Sequence, residues 1–244
     1  MTAPTQAPSA IPQKIEIPTT LPLIYLHWPA EVASPTAATT PTTSASKKRL
    51  VLFLHGYTDS ARSFLKRAWP ERAPEYDVLA PNGPFPVPVK SEAGYKPAYA
   101  WYFLDESPRA AVEKTGIPPA VSIEMLLHLI QHLGLDDHEK VIVGFSQGGL
   151  LAPRLALKLK NVRRIIGIGT NYQSPDYAKI PHIPVDAIHG DKDSVLPLVH
   201  IEKGLRSIQE LGFHTELFVM KDLEHTMNDE ARAKLKERVA LAFR

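Results

Sequence analysis

The chain has 244 residues, of which 44% are hydrophobic and 22% are charged, values typical of a globular protein with a sizeable core. Its 28 Lys and Arg residues against 26 Asp and Glu residues give a net charge of +2, which is too small to indicate a nucleic-acid partner. The absence of cysteine excludes disulfides, thiolate metal sites and a cysteine nucleophile.

The N-terminal segment 1–20 is rich in Pro, Thr and Ala and is predicted to form an irregular arm. It lacks the basic start and apolar stretch of a secretory signal, and no apolar run approaches the ~20 residues of a membrane span. We therefore expect an intracellular protein without stable membrane insertion, with a mature form whose signal has already been removed as the alternative. After a predicted strand at 21–28, the Pro/Thr/Ala-rich stretch 29–48 is predicted to form a surface loop of a single domain, 21–244.

From residue 49 onward, apolar strand-like runs alternate with amphipathic helical patterns, except over 84–98, which is Pro-rich and predicted to be irregular. Such alternation predicts a mostly parallel sheet with helices on both faces, an α/β class, whose sites form at the carboxyl ends of the strands. The predicted strands are 50–54, 76–79, 140–143, 164–168, 185–189 and 214–219, and the predicted helices are 62–69, 118–133, 147–159, 198–211 and 228–243.

The sequence GFSQG at 144–148 fits the pattern G-x-S-x-G, between a predicted strand and a predicted helix. In this context the pattern indicates a nucleophile elbow, in which a tight turn lifts the Ser146 hydroxyl above the sheet edge. The backbone N–H of Gln147 can then donate to an oxyanion. A chance glycine-rich turn is the simpler alternative, which the flanking strand and helix make less favourable.

A serine nucleophile needs a base, and the base needs a carboxylate that fixes its tautomer. In elbow enzymes the acid follows the serine in the chain and the histidine comes last. Asp191 and Asp193 both follow a predicted strand; Asp191 could brace the turn, and Asp193 is favoured as the acid. His225 lies between the last predicted strand and the last predicted helix, which favours it as the base.

The other histidines give weaker indications of a functional role. His128 and His132 lie four residues apart on a predicted helix, a spacing that suits a metal, but no acidic third ligand completes the pattern and no metal site is predicted. His189 ends a predicted strand and is interpreted as a turn or core histidine. His55-Gly56-Tyr57 follows the first buried strand, where the elbow architecture supplies a second oxyanion donor, and the N–H of Tyr57 is the candidate. An ordinary strand-to-loop turn remains the alternative there.

With these motifs the chain resembles the α/β-hydrolase superfamily, and within it the phospholipase/carboxylesterase family that includes the acyl-protein thioesterases. The resemblance depends on the order of LFLHGYTD (52–59), PNGPFPVP (81–88), GFSQGG (144–149), HGDKDSVLP (189–197) and His225. It implies the α/β-hydrolase fold and a serine hydrolase that uses no metal or cofactor. It assigns the nucleophile, acid and base to Ser146, Asp193 and His225, and the oxyanion hole to Tyr57 and Gln147.

The resemblance also implies small-molecule substrates, namely short to medium carboxylic esters, lysophospholipids or thioesters, in a cytoplasmic protein that can form a homodimer. Tyr57 and Thr58 stand where the thioesterases usually carry leucine and glycine, so the Tyr57 ring would narrow the acyl site. Alternatives are a peptidase or lactone hydrolase on the same scaffold, or a non-catalytic binding protein. Four residues are candidates to line the acyl pocket, with simple core packing as the alternative: Phe85, Val87, Trp101 and Leu196.

Overall fold

The computed structural model of the chain describes residues 23–31, 48–73, 75–92, 94–103 and 119–244. The predicted arm at 1–20 and most of the predicted surface loop at 29–48 lie outside these residues. Within them, the predicted alternation of strands and helices after residue 49 is confirmed.

Within the described ranges, the strands are β1 (Tyr25–Trp28), β2 (Arg49–Leu54), β3 (Asp77–Pro81), β4 (Phe85–Ser91), β5 (Gly94–Ala100), β6 (Glu139–Phe145), β7 (Val162–Ile168), β8 (Val185–Gly190) and β9 (Thr215–Met220). The helices are α1 (Ala61–Ala68), α2 (Pro119–His132), α3 (Gln147–Ala156), α4 (Ser174–Tyr177), α5 (Leu198–Gln209) and α6 (Asp229–Ala242). The predicted elements recur within a few residues of their expected ends, whereas β4, β5 and the short α4 were not predicted.

Seven strands form one sheet in the order β1-β3-β2-β6-β7-β8-β9. Only the edge strand β1 runs antiparallel to its neighbour, and the other pairs are parallel. The central strands are apolar along almost their whole length because both of their faces are buried. The expected mostly parallel sheet of an α/β-hydrolase fold is confirmed.

Two hydrophobic cores cover the two faces of this sheet. Leu50, Leu52 and Leu54 of β2 belong to the core shared with α2, α3 and α5. Val51 and Phe53 alternate with them and belong to the core shared with α1 and α6. This alternation places helices on both sides, so the carboxyl ends of the parallel strands form a free edge on which loops can build a site.

The segment predicted to be irregular, 84–98, is instead a β-hairpin of β4 and β5, and that prediction is wrong. Proline suggested irregular structure because it cannot donate a hydrogen bond to a strand partner. In the hairpin Pro88 pairs with Pro97 and Pro86 pairs with Tyr99. Antiparallel pairs alternate between hydrogen-bonded and non-hydrogen-bonded, so the prolines occupy the pairs that exchange no bonds. The Tyr99 N–H points outward accordingly and donates to the carbonyl oxygen of Asp59 over 2.8 Å.

A buried ion cluster joins α6 to the sheet away from the serine turn. The Asp186 side chain has no exposed surface, and its two oxygens accept from Arg164 Nη1 over 2.7 Å and from Arg238 Nε over 2.8 Å. Arg238 in α6 also pairs with Glu216 on β9. A buried charge is tolerable only when it is paired in this way, so removal of one partner is strongly destabilising.

We therefore expect Asp186→Asn to lower the free energy of unfolding by about 3–5 kcal/mol, because two guanidinium groups would lose their buried counter-charge. Urea unfolding measures this change. Asp176→Asn is the matched control, since Asp176 pairs with Arg154 over 2.9 Å where both side chains are partly exposed, and its loss should not exceed about 1 kcal/mol. Equal destabilisation by the two substitutions would contradict a structural role for the buried cluster.

Candidate active site

Ser146 lies in the turn between β6 and α3 in a strained backbone conformation. Its φ is 48° and its ψ is −115°, a positive φ that is rare for a residue other than glycine. The Ser146 N–H donates to Ile168 O over 2.9 Å, and its carbonyl accepts from Gly149 N and from Thr170 Oγ1, each over 2.9 Å. Ser146 is therefore held through its own backbone N–H and carbonyl groups, and its side chain makes no capping hydrogen bond at the start of α3.

The glycines of the turn are required by close approaches of the chain. A β-carbon on Gly148 would lie 2.1 Å from the carbonyl oxygen of Leu54, and one on Gly144 would lie 2.5 Å from the backbone nitrogen of Gly149. Real side chains never approach backbone atoms so closely. The start of α3 therefore packs directly on the end of β2, which brings the loop after β2 next to Ser146.

Asp193 and His225 form a short, partly buried hydrogen bond. His225 Nδ1 lies 2.7 Å from Asp193 Oδ2. The other carboxylate oxygen accepts from the backbone N–H groups of Val195 over 2.9 Å and Leu196 over 2.8 Å. Because an ionised carboxylate only accepts hydrogen bonds, it places the imidazole proton on Nδ1 and leaves Nε2 as the basic nitrogen.

The ring of His225 is held beside the residue that precedes Ser146. Its centroid lies 4.9 Å from that of Phe145. On another side it packs on Gly169, whose φ is +51° and where an added β-carbon would lie 3.3 Å from the ring atoms Cε1 and Nδ1. The structure therefore brings His225, Asp193 and Ser146 to the same edge of the sheet.

The competing carboxylate, Asp191, is exposed, and its backbone N–H donates to Met220 O over 3.0 Å. His189 holds the same loop from inside: its Nε2 donates to Leu196 O over 2.8 Å and lies 3.5 Å from Asp193 Oδ2. Burial lowers the pKa of His189. Its Nδ1 is buried and has no hydrogen-bond partner among the described residues. The predicted role in the turn therefore explains the contact of Nε2 but not the burial of Nδ1.

Both candidate oxyanion donors lie close to Ser146. A β-carbon on Gly56 would lie 2.8 Å from the ring of Phe145 and 3.5 Å from Ser146 Cβ, so the Gly56–Tyr57 peptide unit adjoins the serine. Gln147 is the first residue of α3, and the N–H groups of a first helical turn have no partner within their helix.

The side chain of Gln147 has a role that the sequence did not indicate. Its Oε1 accepts from Trp101 N and its Nε2 donates to Tyr102 O, each over 2.9 Å. These bonds join the chain after β5 to the start of α3. The pattern G-x-S-x-G leaves this position open, so no local sequence signal could have found the contact.

The four predicted pocket residues differ in their exposure. Trp101 has no exposed surface, and Val87 is also buried. Leu196 is half-buried and packs on the core that contains α2, α3 and α5. Phe85 is half-buried and its ring centroid lies 5.7 Å from that of Phe103.

Tyr57 continues this aromatic row. The Tyr57 and Phe103 rings are 6.4 Å apart and nearly perpendicular, and Tyr57 is the most exposed of the three. The row Phe85–Phe103–Tyr57 therefore provides a partly exposed aromatic surface, which Tyr57 connects to the peptide unit beside Ser146.

Neither a metal site nor a membrane span is found among the described residues. The described part of the chain holds no group of three or more His, Asp and Glu side chains arranged to bind a metal ion. Among the same residues, every helix is too short or too polar to cross a membrane.

Comparison with known families identifies the chain. The model of the phospholipase/carboxylesterase family matches residues 36–242, and the chain belongs to this family of α/β-hydrolases. A curated relative, a probable inactive carboxylesterase of rice (Oryza sativa subsp. japonica), is 24% identical over 201 residues, which span 76% of this chain and 81% of that protein.

Solved structures give the same fold. An esterase named PE8 superposes with a TM-score of 0.63 at 27% identity and covers 90% of this chain and 97% of its own. The acyl-protein thioesterase 2 of maize (Zea mays) superposes with a TM-score of 0.59 at 19% identity and covers 84% of this chain and 97% of its own. The second likeness is one of fold alone.

Proposed function

We propose that the protein is a serine hydrolase that cleaves carboxylic esters through an acyl-enzyme. The observation that carries the proposal is the 2.7 Å bond from His225 to the buried carboxylate of Asp193, at the sheet edge where Ser146 occupies a turn with positive φ. Membership of an esterase family and the likeness to esterase PE8 support the same reaction class.

In the proposed mechanism, Ser146 Oγ attacks the ester carbonyl carbon while His225 Nε2 takes the hydroxyl proton. Asp193 stabilises the resulting imidazolium. The backbone N–H groups of Tyr57 and Gln147 donate to the oxyanion. The C–O bond to the alcohol then breaks as His225 returns the proton to the leaving oxygen, and water releases the acyl group by the same steps.

The aromatic row Phe85–Phe103–Tyr57 favours a substrate with an apolar acyl group of short to medium length. It lies at the surface beside the serine turn and offers ring faces without a charged group in the row itself. An oxygen ester and a thioester of the same acyl group would use this surface equally, so thioesters belong to the proposed substrate class.

A second candidate function is binding without catalysis. The name of the rice relative, a probable inactive carboxylesterase, favours it. The complete set of serine, histidine and aspartate in this chain favours catalysis instead.

Active-site labelling combined with a substrate series tests the proposal. We expect the protein to hydrolyse p-nitrophenyl esters, with a maximum rate between acetyl and palmitoyl, and to react with a fluorophosphonate. Trypsin releases residues 141–154, in which Ser146 is the only hydroxyl residue, so the mass of this peptide locates the label. A folded protein that neither turns over these esters or their thioester analogues nor labels this peptide would be a binding protein.

A further inference from the structure

His55, at the end of β2, uses both ring nitrogens on backbone groups beside the serine turn. It has no exposed surface. Gly83 N–H donates to His55 Nε2 over 2.9 Å, and His55 Nδ1 lies 2.7 Å from the carbonyl oxygen of Gly56. Because an N–H can only donate and a carbonyl can only accept, Nε2 must be unprotonated and Nδ1 must carry the proton. Only one neutral tautomer makes both bonds.

The carbonyl that His55 binds belongs to the same peptide unit as the N–H of Tyr57. In a planar trans peptide the C=O and the N–H point in opposite directions. A bond that holds the Gly56 oxygen on the imidazole therefore turns the Tyr57 N–H away from that ring. Gly56 itself packs against Phe145 and Ser146, so the orientation of this unit decides which polar group faces the serine turn.

We propose that His55 is a positioning residue of the oxyanion hole, whose Nδ1–H fixes the Gly56–Tyr57 peptide so that the Tyr57 N–H serves as a donor. This inference rests on the proposed function and adds a residue that never touches the substrate.

Trp101 connects His55 to Gln147, the residue with the second candidate oxyanion donor. Its indole N–H donates to the carbonyl oxygen of His55 over 2.8 Å, and the two rings lie with centroids 4.8 Å apart and planes tilted by 30°. The backbone N–H of Trp101 donates to the side chain of Gln147. One residue thus links the loop that carries Tyr57 to the first residue of α3.

The ring stays neutral in the pH range where a histidine base can act. Burial lowers the pKa of His55 from 6.5 to about 4, and the bond to Gly56 opposes part of this effect. The charged groups that act on it are Asp59, which raises the pKa, and Arg67, which lowers it. These two pair with each other over 2.6 Å and shift the pKa of His55 in opposite directions.

Substitution of His55 by asparagine or by glutamine tests its two hydrogen bonds one at a time. In His55→Asn the amide nitrogen can take the place of Nδ1 and donate to Gly56 O, whereas the bond from Gly83 is lost. In His55→Gln the amide oxygen can reach the place of Nε2 and accept from Gly83, whereas the donor to Gly56 is lost. Each variant loses one buried hydrogen bond, so we expect similar decreases in Tm.

Complete loss of an oxyanion donor typically costs about 10²–10³-fold in kcat. His55→Gln leaves the Tyr57 N–H in place but no longer fixes its orientation, so we expect a smaller decrease in kcat for a p-nitrophenyl ester, about 10–100-fold, with little change in KM. His55→Asn should retain kcat within about fivefold. The affinity for an alkyl boronic acid, whose tetrahedral adduct uses the oxyanion hole, should fall by the same factor as kcat in each variant. Equal kcat losses in two equally destabilised variants would show a merely structural role and overturn the inference.

A measurement on the unsubstituted protein can overturn the inference even if both variants fail to fold. The ¹⁵N shifts of His55 should show a neutral ring protonated on Nδ1, without titration near the ordinary histidine value. An Nε2–H tautomer would overturn the inference. The outcomes are separable, because absence of fluorophosphonate labelling at Ser146 overturns the proposed function, whereas normal turnover in His55→Gln overturns only the role of His55.

Discussion

Replacement of Ser146 by alanine should lower kcat for ester hydrolysis by about 10⁶-fold, the loss seen when the nucleophile of a serine hydrolase is removed. The fold should be unaffected, because Ser146 is held through its backbone N–H and carbonyl and its side chain caps no helix. Alanine carries the same β-carbon as serine, so the substitution adds no new clash at the positive φ.

Kinetics with the best p-nitrophenyl ester measure the loss, and urea unfolding verifies the fold. Ser207→Ala is the matched control, because its hydroxyl bonds within α5 to Gly204 O over 2.7 Å and should not affect turnover. If Ser146→Ala retained a tenth or more of the activity, another group would have to be the nucleophile.

The second large effect is expected at Asp193. In Asp193→Asn the amide oxygen can still accept from Val195 and Leu196, but an amide nitrogen would face His225 Nδ1. The imidazole would then place its proton on Nε2, which could no longer accept the serine proton. A loss of about 10⁴-fold in kcat follows from this wrong tautomer.

Asp191→Asn is the matched variant for this prediction. Asp191 lies two residues earlier in the same loop and is exposed, so its substitution should leave kcat within about threefold, as expected of a surface change. Steady-state kinetics of the two variants side by side give the ratio. A larger loss of kcat in Asp191→Asn than in Asp193→Asn would show that Asp193 is not the acid.

The central sheet could be predicted because its strands are continuous apolar runs. The runs 50–54 and 141–143 have branched or bulky apolar side chains at every position, a pattern that only a strand buried on both faces needs. The hairpin could not be predicted from its prolines. A proline fits into a strand only at a position where the partner strand accepts no hydrogen bond from its nitrogen, and these positions depend on how the two strands pair. Helix α4 spans only four residues, too few to show a helical period.

The candidate site also has a part that the sequence predicts and a part that it does not. Ser146, Asp193 and His225 could be placed from the sequence, since each follows a strand whose carboxyl end lies at one edge of the sheet. His55 and Gln147 could not be assigned their contacts, because these join segments 28 to 46 residues apart in the chain. Trp101 was predicted to line a pocket from its aromatic surroundings, but composition does not tell which face of an aromatic cluster meets solvent.

The prolines of the β4–β5 hairpin also bear on how this protein behaves at high concentration. A two-stranded ribbon at a surface exposes two rows of backbone groups that another chain can join, a common route to aggregation. Pro86, Pro88 and Pro97 remove N–H donors from these outer rows, and the outward N–H of Tyr99 already binds Asp59. Neither edge keeps an uninterrupted ladder of donors, so the hairpin resists growth into an intermolecular sheet.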